Sequence, residues 1–175
     1  MDTKGEDRPP GSDNELSHVE RDGDQTRSRM VDVGQKEPSA RSALARALVV
    51  FPPGLLEGVM ADGGPKGPVT EVARAAGILG AKRTGDLIPM CHPLALDWVQ
   101  IEFRALDGVR LEVLCRASCT GRTGVEMESL VGASIASLTV YDMTKALSKE
   151  IRLESVELIE KTGGKSGVWR REGTG

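Results

Sequence analysis

The chain has 175 residues, with 23 Lys and Arg against 26 Asp and Glu, three cysteines and only 3% aromatic residues, a length that suits one domain with a real core. The acidic excess sits in residues 1–29, with eight acids against five bases, which leaves 18 of each in residues 30–175. A neutral domain this poor in aromatics excludes nonspecific nucleic-acid binding, which needs a basic face and stacking rings; the odd cysteine count excludes a secreted disulfide scaffold.

Residues 1–29 are rich in Asp, Glu, Gly, Ser, Arg and Pro and offer almost nothing to bury, so a disordered tail is expected there. The tail holds no apolar stretch suited to export, and no later segment approaches transmembrane length. Both points indicate a cytoplasmic protein with no membrane partner. Residues 30–33 are short and β-like, and 43–51 alternate as a strand. Pro52-Pro53-Gly54 breaks that strand, and 55–61 is a short helix candidate. Residues 62–68 form a loop of glycines and prolines with Lys66 at its centre. The spacing over 69–83 predicts a helix with Val72, Ala76 and Leu79 on one side. Two strands follow over 96–106 and 109–117, joined by Asp107-Gly108, a strong hairpin signal.

Residues 125–149 then read as a long apolar helix, uncharged from Ser129 to Tyr141 and lined with small residues that allow close packing. A final strand over 151–159 leads into the glycine-rich loop 161–167. The order β-α-β-β-α-β predicts an α+β fold, a ferredoxin-like antiparallel sheet with helices packed on one face.

Several residues exceed what packing requires. Asp142 and Lys145 lie three apart on the long helix. They make either an ordinary helix ion pair worth roughly 0.2–0.5 kcal/mol or a proton-transfer pair whose pKa values burial moves toward neutral. Glu126 and Glu128 fall in the first turn, where the helix dipole favours acids; bracketing Met127, they could equally bind the polar edges of a heterocycle. His92 stands between Cys91 and Pro93, close after Lys82, Arg83 and Asp86, and is either structural or functional. His18 is the other histidine and belongs to the tail, so a histidine zinc site is not expected; Cys115 and Cys119 lack a nearby second pair to complete one. Lys66, Lys161 and Lys165 sit in glycine-rich loops, where backbone N–H groups can approach an anion. Gly164-Lys165-Ser166 is not a Walker motif, because Ile159 stands where its first glycine belongs.

Glu128 and Asp142 are fourteen residues apart, about 21 Å on one straight helix. A single small-molecule pocket could hardly use both from one chain. Either the helix starts late, or the site is built across a two-fold interface.

Three segments, residues 81–93, 123–128 and 141–145, agree in order and spacing with the cyclic pyranopterin monophosphate synthases of the MoaC family, which the chain resembles from residue 30 to about 168. The resemblance implies a catalytic ferredoxin-like domain over 30–168, flanked by the N-terminal tail and a C-terminal tail over 169–175. It also implies a lyase that converts 3′,8-cyclo-7,8-dihydro-GTP, a cyclised GTP intermediate, into cyclic pyranopterin monophosphate with release of pyrophosphate, in molybdenum-cofactor (molybdopterin) biosynthesis. By similarity Asp142 is the catalytic acid/base, acting with Lys145. Met90, Cys91, His92, Met127 and Glu128 match substrate-binding segments, with Glu126 beside them. Lys66, Lys82 and Lys161 fall where the family places cations around the triphosphate, and Arg41 matches a further basic position. Pro68 departs from the family, which commonly has an acid there. The family's trimer of dimers, a homohexamer with its sites at dimer interfaces, would account for the helix separation. No metal or redox cofactor is called for, although Mg2+ with the triphosphate stays open. The alternative from another class is a non-catalytic regulatory module of the same fold that binds a nucleotide or pterin without turning it over.

Overall fold

The structure is a computed structural model that describes residues 19–22 and 25–173. The chain divides after Asp32 into two units. In the first, strands β1 (Val19–Asp22) and β2 (Gln25–Ser28) pair antiparallel, with Val19 opposite Ser28. This ribbon lies in the stretch expected to be a disordered tail; residues 1–18 of that tail lie outside the described residues.

In the second unit, β3 (Ser39–Val50) is the central strand. Its inward positions are Ala43, Ala45, Ala47 and Val49, all buried, and these small side chains let a helix lie close against the sheet. Pro52-Pro53-Gly54 ends the strand, because proline cannot donate to a ladder and Gly54 turns the chain at φ 84°. Helix α1 (Leu56–Asp62) buries Leu56 and Val59. Then come α2 (Val69–Lys82) and the single turn α3 (Thr84–Leu87). Strands β4 (Trp98–Ala105) and β5 (Arg110–Gly121) form the expected hairpin. Its turn is held by the Asp107 carboxylate, whose Oδ1 accepts from the N–H groups of Val109 and Arg110 at 2.9 and 2.7 Å. Helix α4 (Glu126–Thr144) crosses the sheet, and β6 (Arg152–Thr162) and β7 (Trp169–Arg170) complete it. The strand order is β4-β5-β3-β6-β7, every neighbour antiparallel. With α2 and α4 against one face, the fold is ferredoxin-like, as the residue pattern predicts.

The core lies between that face and the helices, where Leu111, Val113 and Cys115 of β5 and Ile101 of β4 meet Ala133, Ala136, Val140 and Met143 of α4. Helices α2 and α4 touch through glycines. A Cβ on Gly77 would stand 2.9 Å from the Gly132 carbonyl oxygen, and one on Gly132 would stand 3.3 Å from the Ala81 Cβ of α2 and 2.5 Å from the Cys115 sulfur of β5. No helix among the described residues is long and apolar enough to cross a membrane.

Four local expectations need correcting. Residues 30–33 form no strand; the chain there is irregular and turns where Lys36 N–H bonds the Val33 carbonyl at 3.0 Å. The buried face of α2 is Val69, Ala73, Gly77, Gly80 and Ala81, whereas Val72 and Leu79 are 43% and 51% exposed. The long helix stops at Thr144 rather than continuing to 149. Residues 169–170, assigned to a C-terminal tail, are a paired strand.

Candidate active site

Chemistry-bearing side chains gather at both ends of α4. At its C-terminal end, the loop between α1 and α2 folds back on itself, Gly64 and Gly67 exchanging two backbone hydrogen bonds of 2.9 Å. Gly67 takes φ 104°, a conformation that suits glycine. A Cβ on Gly64 would lie 3.1 Å from the Met143 carbonyl oxygen, so the loop sits directly on the end of α4. The Lys66 ammonium consequently reaches Asp142 Oδ2 at 2.6 Å, while Lys145 holds Oδ1 at 2.7 Å. One carboxylate thus carries two ammonium groups.

Hydrogen bonds from Lys145, then Lys66, pull the Asp142 carboxyl down to about 2, and the same contact raises Lys145. This corrects the expected direction. The uncharged run before Asp142 is indeed largely buried, but the Asp142 side chain itself is 53% exposed, so hydrogen bonding outweighs desolvation and both groups move away from neutral.

At the N-terminal end, Val125 occupies the cap position and no side chain caps the helix. The two glutamates have separate surroundings. Glu126 Oε1 pairs with the Lys161 ammonium at 2.9 Å. Glu128 is only 3% exposed and its Oε2 has no hydrogen-bond partner. Burial raises its carboxyl above the ordinary value, with the Glu126 charge adding to the effect. A small cleft opens on Glu128, lined also by Lys82, Thr84, Asp86, Pro93 and Leu94. The Cys91 thiol, half-buried, is raised by burial and then by the Glu128 charge, and so is Cys119. Both therefore stay protonated near neutral pH. Arg41 reaches the same end of the molecule, its Nε donating to the Gly121 carbonyl at 2.9 Å. The loop after β6 wraps it, for a Cβ on Gly164 would meet Arg41 Nη1 at 2.5 Å. Met90 and His92 flank Cys91 and are half-buried, while Met127 is exposed at the start of α4.

The predicted residues thus fall into two groups. Asp142, Lys145 and Lys66 stand at one end of α4; Glu126, Glu128, Cys91, Lys161, Lys82 and Arg41 stand at the other. The helix is continuous from Glu126 to Thr144, so a late start is ruled out and the rise per residue keeps Glu128 and Asp142 about 21 Å apart. Two contacts escaped the sequence: Lys66 on Asp142, and Lys161 on Glu126. Their partners are 76 and 35 residues apart in the chain, and glycine loops beside lysines are the only trace of them in the pattern.

The MoaC family model matches residues 30–164. The chain belongs to the MoaC family. Among relatives, the cyclic pyranopterin monophosphate synthase of Chloroflexus aggregans is 49% identical over 163 residues, covering 93% of this chain and 97% of that protein. The protein of the same name from Novosphingobium aromaticivorans is 49% identical over 158 residues, 90% and 98% of the two chains. That of Streptomyces avermitilis is 44% identical over 169 residues, 97% of each. The MoaC match takes in both ends of α4 and all the residues gathered there. Within this MoaC chain the three cysteines are free, and burial pushes the Cys115 thiol up to about 12, which marks it as core.

Proposed function

We infer that the chain is a cyclic pyranopterin monophosphate synthase, a lyase of molybdenum-cofactor biosynthesis that takes the cyclised GTP intermediate to cyclic pyranopterin monophosphate and pyrophosphate. The observation that carries this is near-full-length similarity at 44–49% identity to synthases of that name, together with a carboxylate held between two lysines. A module that only bound a nucleotide or pterin would have no use for that arrangement, so the non-catalytic alternative is not favoured.

The residue roles follow from charge. Asp142, ionised and flanked by ammonium groups, serves proton transfer during ring opening and closure. Lys66 belongs to the triphosphate as well as to Asp142. When phosphate oxygens draw its ammonium away, Asp142 loses one of the two hydrogen bonds that depress its pKa and becomes more basic as substrate arrives. Lys82 and Lys161 balance the remaining phosphate charge and the charge that develops on departing pyrophosphate. Glu126 and Glu128 take N–H groups of the heterocycle. Met90, Cys91, His92 and Met127 wall the same pocket, and Arg41 adds a cation at its edge. The overall conversion is redox-neutral and needs no redox cofactor; Mg2+ enters, where it does, with the triphosphate.

The same reading makes the protein an oligomer. One substrate cannot span the ends of one α4, so a two-fold partner supplies the second end, and such dimers assemble further into a hexamer. Free cysteines suit a reducing compartment, the cytoplasm. Incubation of the purified protein with the cyclised GTP intermediate, followed by mass analysis, tests the activity. Formation of cyclic pyranopterin monophosphate with one pyrophosphate per turnover is expected; bound but unchanged substrate would restore the non-catalytic module.

A further inference from the structure

We propose that Trp169 is the stacking wall for the fused heterocycle of the substrate, in the half of the site built around Glu126 and Lys161. This deepens the synthase reading and rests on it.

The placement comes from strand register. Trp169 stands directly opposite Lys161 in the antiparallel β6–β7 pair, and directly opposed residues project from the same face of a sheet. That face is the one beneath the helices: Lys161 bonds Glu126 at the start of α4 and pairs on its other side with Ala43 of the core. The neighbouring residue Glu160 points the opposite way, toward Arg116 and Arg170. Trp169 is thus a neighbour of the Lys161–Glu126 pair, at the mouth of the site.

The ring is not in the core. It is 40% exposed, in a strand of two residues that buries nothing. Arg171 lies 5.9 Å from its centroid and is itself tied down, with Nε donating to the Leu158 carbonyl at 2.8 Å and standing 3.3 Å from Glu157. Arg171 is held at the free edge of β6 and comes just within cation–π reach of the indole. A partly exposed indole beside a carboxylate and an ammonium matches the parts of a purine-derived nucleotide: a flat π-face, an edge of N–H donors and a phosphate. Stacking needs only the π-face, so it tolerates the change from purine-derived ring to pterin during the reaction.

The test uses the full-length protein. In an Asp142→Asn, Trp98→Phe background Trp169 is the remaining indole, and titration with the cyclised GTP intermediate should quench its emission. In otherwise wild-type protein, Trp169→Ala and Trp169→Leu should each raise KM about tenfold, with kcat and Tm little changed, and Trp169→Phe should restore KM to within about threefold. The leucine variant keeps apolar bulk, so it separates stacking from packing if the alanine variant folds poorly. Unchanged emission on saturation, or an unchanged KM in the leucine variant, overturns the proposal. Those outcomes differ from failure of the synthase reading, in which wild-type protein forms no product.

Discussion

Asp142 and Glu128 are carboxylates on the same helix, and their surroundings drive them in opposite directions. Two ammonium groups hold Asp142 at about 2, while burial without a partner for Oε2 raises Glu128. Environments that push two acids apart are the usual means of giving them separate roles. Lys66→Ala should let the Asp142 pKa climb, read by carboxyl NMR titration, and should weaken substrate binding; an unmoved Asp142 would mean that Lys145 alone sets it. For Glu128 the folded-state value lies above the ordinary 4.5, so its contribution to stability is full below that pH and is lost as pH rises through the folded value. Glu128→Gln should therefore match wild type in Tm near pH 4 and exceed it at pH 8, by on the order of 1 kcal/mol or a few degrees, with reduced turnover. A Tm difference that does not change with pH would show that Glu128 titrates normally.

At the scale of elements, the packing of α4 between β5 and α2 depends on having no side chain at Gly132. A Cβ there meets the Cys115 sulfur at 2.5 Å and the Ala81 Cβ at 3.3 Å, so Gly132→Ala should cost roughly 1–3 kcal/mol and lower Tm by several degrees, measured by calorimetry. No loss would mean that α4 can shift freely against β5 and α2. The same contact explains what the sequence hid. Period-based reading looks for bulky apolar residues and so selects Val72 and Leu79, but close-packed helices bury alanine and glycine and leave the larger residues outside. The β4–β5 hairpin was legible because Asp107-Gly108 carries its turn chemistry locally. Strand β7 was not, since two residues carry no period and depend on β6 for pairing.

At the scale of the whole molecule, the site was half legible. Asp142 with Lys145, and Glu126 with Glu128, stand close enough in sequence for spacing to reveal them. The closure of Lys66 onto Asp142 and of Lys161 onto Glu126 depends on loops returning over many residues, which no local pattern encodes. The separation of the two groups was readable in advance from helix geometry, and the unbroken α4 bears it out. On the proposed synthase reading, that separation calls for an active site shared between chains, and subunit mixing tests it most directly. Asp142→Asn and Glu128→Ala chains, each inactive alone, are combined under conditions of proven subunit exchange and assayed with the cyclised GTP intermediate. If the two ends come from different chains, mixed dimers carry one intact site and one doubly damaged site, and activity should recover to about a quarter of wild type for random pairing. No recovery despite exchange would place Glu128 and Asp142 of a working site on one chain and contradict the shared site.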